Sequence, residues 1–152
     1  MKAKTRLFGE IEIADEKIIH FENGIIGFPD LKDFALIHDA ERTSGVIRWL
    51  QSFQEPNFAM PVMDPLMVEP AYNPQVEEEL LKPIGKLDDE DMFVLVTVTV
   101  PKDIKEISVN LRAPIIIHAG NCKACQVIVD DDKYAVKYPI YEKIQSMKKA
   151  GE

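Results

Sequence analysis

The chain has 152 residues, 18 Lys+Arg against 26 Asp+Glu, and a formal net charge of −8. That length suits one domain, and 46% hydrophobic content permits a packed core and excludes a chain disordered by composition. The acidic balance excludes a general binder of phosphate backbones, which needs a basic footprint, yet it allows a basic protein partner drawn in by long-range fields.

The first segment, MKAKTRLFGEIEI, has no signal-peptide core, and no apolar run nears the ~20 residues that span a bilayer, so a cytoplasmic protein with no membrane partner is expected. Lys4 to Phe8 and Glu10 to Ala14 flank Gly9 and predict two strands in a hairpin or bend. Ile11 and Ile13 alternate with Glu10 and Glu12, which separates an apolar face from a charged one. Lys17 to Phe21 predicts a third strand, and residues 23–30, with Gly24, Gly27 and Pro29, a structured loop.

Phe34 to His38, Val46 to Phe53 and Phe58 to Met63 predict three more strands, the last demoted to an edge or a bulge by Pro61. Pro74 to Leu81 reads as a helix, with Glu77, Glu78 and Glu79 early, where carboxylates complement the helix dipole. Met92 to Val100 is the strongest strand, a nearly continuous apolar run that implies burial on both faces. Ile107 to Leu111, Ala113 to Ala119, Cys125 to Val129 and Tyr134 to Lys137 follow as strands, and Ile140 to Lys149 as an amphipathic helix. Strands in quick succession without intervening helices point to a mainly β protein: a small antiparallel β-barrel-like or sandwich domain with one or two short helices.

Charge is unevenly spread. Residues 133–152 hold five lysines and two glutamates, whereas residues 76–91 hold seven acids and two lysines. Asp88, Asp89, Glu90 and Asp91 sit at the end of that acidic stretch, which forms either solvated loops or a docking surface for cations. Cys122 and Cys125 form a CxxC, the spacing of a zinc or redox pair. There is no second CxxC and no H-x₃₋₅-H, and the motif falls in what reads as a hairpin turn, so an incidental pair of reduced thiols is expected and a thiol or zinc protein is the alternative. Asp130, Asp131 and Asp132 lack calcium-loop spacing. His20, His38 and His118 lie in or beside separate strands, and no P-loop, G-x-G-x-x-G, G-x-S-x-G or H-E-x-x-H occurs. The sequence gives no positive support to catalysis, a metal site or a cofactor.

Five blocks in order resemble the bacterial flagellar assembly factor FliW family. They are Gly9-Glu10-Ile11-Glu12-Ile13; Ile18 through Phe28 (IIHFENGIIGF); Trp49-Leu50-Gln51-Ser52; Val62-Met63-Asp64-Pro65 with Pro70 and Tyr72; and Asn110-Leu111-Arg112-Ala113-Pro114-Ile115-Ile116-Ile117, continuing through Gln126-Val127-Ile128-Val129 to Tyr134. Ile26 stands where the family usually has proline, His118 where asparagine is common, Ala124-Cys125 where Gly-Lys is frequent, and Asn73 where an acid often follows the tyrosine.

The resemblance covers residues 2 to 141. It implies one β domain over 1–141 with a short lysine-containing tail over 142–152, helical or disordered. It implies a non-enzymatic regulator, monomeric when free, that binds the RNA-binding repressor CsrA, relieves repression of flagellin mRNA, binds flagellin in competition with CsrA, and touches no nucleic acid itself. Joined to the charge pattern, it places the partner surface at Tyr72 and Asn73 with Glu77, Glu78 and Glu79, and at Asp88, Asp89, Glu90 and Asp91 as second choice; Tyr72 packing beneath the small helix is the alternative.

Overall fold

A computed structural model describes residues 2–38, 46–85 and 92–150. Strands β1 (Lys2–Thr5) and β2 (Gly9–Glu12) pair antiparallel, Ala3 opposite Ile11, as a separate two-stranded sheet. Thr5 Oγ1 donates to the Gly9 carbonyl at 2.8 Å and accepts from the Phe8 N–H at 2.9 Å, which ties the turn shut. The hairpin leans on the body through Phe8, edge-on to Trp49, and through the Arg6 N–H on the Pro56 carbonyl.

The body is built from β3 (Ile19–Phe21), β4 (Asp33–His38), β5 (Arg48–Ser52), β6 (Ala59–Met63) and β7 (Met92–Thr99), each antiparallel to the one before. After the short β8 (Ser108–Val109), β9 (Ile115–His118) pairs antiparallel with β7, and β10 (Lys123–Gln126) antiparallel with β9. β10 then lies parallel to β3, Lys123 opposite His20 and Ala124 opposite Phe21, so that β3-β4-β5-β6-β7-β9-β10 closes as a seven-stranded barrel. β8 and β11 (Tyr138–Pro139) extend the sheet from the far end of β7. The barrel follows from alternation: Phe21, Phe34, Leu50, Val62, Leu95, Ile115 and Ile117 fill one interior cluster.

β7 explains its own composition. Leu95 points into the barrel, while Val96 and Val98 join a second cluster outside it with Met63, Val109, Leu111 and Ile140. Helix α1 (Tyr141–Ala150) covers that cluster with Tyr141 and Ile144, and Lys143 Nζ donates to the Val68 carbonyl at 2.6 Å and also reaches the Tyr138 hydroxyl. A third cluster, Ile84, Ile116 and Val127, lies beneath a 3-10 turn over Glu78–Ile84.

Four expectations need correction. Burial on both faces holds for the middle of β7 and fails at its start, where Met92 and Phe93 are each 36% exposed. β6 is an interior strand, but Pro61 stands beyond its two-pair ladder with β7 (Val62 opposite Thr97, Met63 opposite Val96), so the missing N–H costs nothing on that side. The predicted helix over Pro74 to Leu81 is absent: residues 74–77 hold no regular element and a 3-10 turn runs over Glu78–Ile84, where Pro83 has no N–H to extend it as an α-helix. The last strand is Tyr138–Pro139, not Tyr134 to Lys137, because Tyr134 closes a turn onto the Asp131 carbonyl and spends its ring on Tyr72.

Candidate functional site

The ladder between β6 and β7 is short, only Val62 with Thr97 and Met63 with Val96. After Met63 the chain leaves the sheet at Asp64, whose carboxylate accepts the Leu66 N–H at 2.9 Å and caps a 3-10 turn over Pro65–Met67. Met92 to Leu95 are therefore paired with β9 on one side and, among the described residues, with no strand on the other. A cleft of about 1350 Å³ opens there. Leu66 stands 53% exposed on one wall, Asn73 and Val76 form another, and Phe93, Val94 and Ile116 line the sheet side. Arg48, Lys82 and Asp64 put charges of both signs on its rim.

Tyr72 lines this cleft yet is only 6% exposed. Its hydroxyl donates to the Leu111 carbonyl at 2.6 Å, and its ring meets Tyr134 edge-on at 4.7 Å. Burial, and secondarily the neighbouring Tyr134, push its pKa far above the ordinary phenol range. It works as an anchor that fixes the cleft wall. Asn73 next to it is exposed, its N–H donating to the Tyr134 hydroxyl at 2.9 Å. Glu77 is exposed where the 3-10 turn begins, and Glu79 is exposed, 3.9 Å from Lys82. The Glu78 backbone belongs to the same turn, and its side chain lies outside the described residues, as do Asp88, Asp89, Glu90 and Asp91. The structure thus brings Tyr72, Asn73 and Glu77 to one segment beside the cleft. Sequence reasoning missed Leu66, Met92 and Phe93; the run of apolar residues in β7 read as uniformly buried, and only the early departure of β6 exposes its start.

The two thiols diverge. Cys122 sits in the β9–β10 turn at φ +56°, with Sγ donating to the Glu16 carbonyl, whereas Cys125 packs against the third cluster and burial pushes its thiol up to about 11. Among the described residues no group of three His, Cys, Asp or Glu side chains could hold a metal ion, and the zinc alternative has no support. His20 Nδ1 lies 2.7 Å from Asp33, whose other oxygen accepts from Gln54; His118 Nδ1 accepts the Gly120 N–H; His38 ends β4. Asp131 and Asp132 meet Lys133 and Arg112 at a surface corner.

A family model described as "FliW protein" matches residues 2–140. The chain is 45% identical to the flagellar assembly factor FliW of Lachnoclostridium phytofermentans over 98% of its length and 96% of the relative's. It is 46% identical to that of Lachnospira eligens, covering 93% and 95% of the two chains. A crystal structure of a flagellar assembly factor FliW superposes with a TM-score of 0.83 at 28% identity, covering 92% of this chain and 96% of the other.

Proposed function

The chain belongs to the FliW family of flagellar assembly factors, and from that premise we propose that it works without catalysis, by binding CsrA and flagellin in turn. Bound to CsrA, it frees flagellin mRNA from repression; bound to newly made flagellin, it lets CsrA go. One observation carries this reading: the family match over residues 2–140 takes in the residues that line the cleft, among them Asp64, Tyr72, Pro114 and Ile116. A half-apolar cleft beside exposed carboxylates has the anatomy of a protein-binding site, with a few anchoring positions and a charged rim. Tyr72 fixes the wall, Asn73 and Glu77 to Glu79 face the partner, and Asp88 to Asp91 extend the acid.

The acidic body suits a repressor that must carry Lys and Arg for phosphate contacts. No helix among the described residues is long and apolar enough to cross a membrane, and the proposed site of action is the cytoplasm, where both partners are made. The test is a flagellin leader RNA bound to CsrA and titrated with the purified chain. RNA is expected to dissociate as the chain approaches saturation; RNA that stays bound at saturating protein refutes the regulatory reading.

A further inference from the structure

Among the described residues, Met92 to Leu95 of β7 pair with no strand on the β6 side. The Thr97 carbonyl accepts the Asn110 N–H at 3.0 Å, so the Thr97 peptide groups point toward the β8–β9 side. Along a strand these directions alternate, which turns Val96 toward β6, in keeping with its pairing to Met63. Val94 and Met92 then point the same way as Val96. By that point β6 has turned off at Asp64, and their N–H and C=O groups face the cleft.

An edge of this kind is a template for another strand. We propose that the cleft takes an extended segment of a partner protein as an added β-strand on Met92 and Val94, completing the barrel seam that β6 leaves open. The proposal rests on the protein-binding reading of the cleft and specifies how the partner binds. The cleft is lined by apolar side chains from both faces of the sheet, Phe93 and Leu95 on the barrel side and Val94 and Val76 on the side of the third cluster, so the segment carries apolar residues toward both. The rim carries Arg48 and Lys82 as well as Asp64, so charge does not select the segment's centre. A body of −8, with Glu77 exposed on the segment that carries Val76 into the cleft wall, selects Lys or Arg in its flanks. A second copy of this chain is disfavoured, because two bodies of −8 repel.

The experiment uses the full chain with intact flagellin and intact CsrA as probes, followed by peptides of about 10 residues, longer than a typical strand, tiled from each. Amide exchange at Met92 and Val94 is expected to slow on binding. In the tightest peptide, N-methylation at every second residue is expected to weaken binding about tenfold while the intervening positions tolerate it. Leu66→Glu, at an exposed position that the fold does not need, should weaken the same peptide. If intact flagellin or CsrA binds but Met92 and Val94 keep exchanging, or N-methylation shows no alternation, strand addition is wrong and the protein-binding reading stands. If neither protein binds, both fall. If the chain instead dimerises with protection at Met92 and Val94, the edge is a self-pairing one and the assignment to a partner is overturned.

Discussion

Cys125 keeps its proton in the folded chain up to about pH 11, because burial disfavours the thiolate, while the unfolded chain releases it at the ordinary 9.0. Between those values the unfolded state holds fewer protons than the native one, so the contribution is complete below pH 9 and is lost as pH rises toward 11. The unfolding free energy from urea titration should therefore fall across that window, by roughly 1–2 kcal/mol more than in Cys125→Ala once the partial exposure of the thiol is allowed for; equal slopes for the two proteins would mean the thiol is not responsible. The CxxC spacing shows why single residues were only partly legible. Two cysteines three apart look like a pair on paper, but a positive φ at Cys122 and the alternation of β10 send them to the Glu16 carbonyl and to the third cluster. Tyr72 posed the same problem. Partner contact and core packing both suit a tyrosine, and its bond to Leu111, 39 positions away, cannot be seen in any local pattern.

The turn between β3 and β4 shows what an element demands of its sequence. Gly24 sits at φ +68°, and a Cβ there would lie 2.5 Å from the Pro29 carbonyl oxygen. Ile25 and Phe28 exchange N–H to C=O bonds, and Gln126 clasps the turn to β10, its Oε1 accepting the Ile26 N–H while its Nε2 donates to the Ala113 carbonyl. Gly9 has the same φ of +68° but open space around it. Gly24→Ala should thus cost about 3 kcal/mol or more in urea unfolding, against about 1 kcal/mol for Gly9→Ala, since only the first adds a backbone clash to the left-handed penalty. Similar losses at both positions would contradict the turn geometry. Most strands were legible because their signals are local: alternation of isoleucine with glutamate in β2, and short apolar runs bounded by turn residues in β4 and β5. The segment after Tyr72 was not: the glutamates fit a helix, and the stop imposed by Pro83 and by packing of Leu81 and Ile84 on β9 and β10 is a tertiary decision.

At the scale of the whole molecule, the barrel was legible as a class and its seams were not, since the β3–β10 pairing and the early exit of β6 join or part residues far apart in the chain. The charge distribution also belongs to this scale. Reversing Glu77, Glu78 and Glu79 to lysine changes the formal charge from −8 to −2, and CsrA association at low salt should slow by roughly tenfold. Added salt should slow the parent chain in the same direction, as stopped-flow measurements can show; rates unmoved by both would remove electrostatic steering from the mechanism. The parallel pair that closes the barrel has a further consequence, in time rather than in space. His20 meets Lys123, so β3 through β6 emerge from the ribosome as an open curved sheet, with Phe21 and Phe34 unroofed until β9 and β10 have been made. At about 5–20 residues per second, that wait lasts for several seconds. Between completion of β6 at Met63 and of β10 at Gln126, a nascent chain of this protein is a half-barrel with exposed apolar surface, the kind of species that aggregates, so the last third of the gene protects the first.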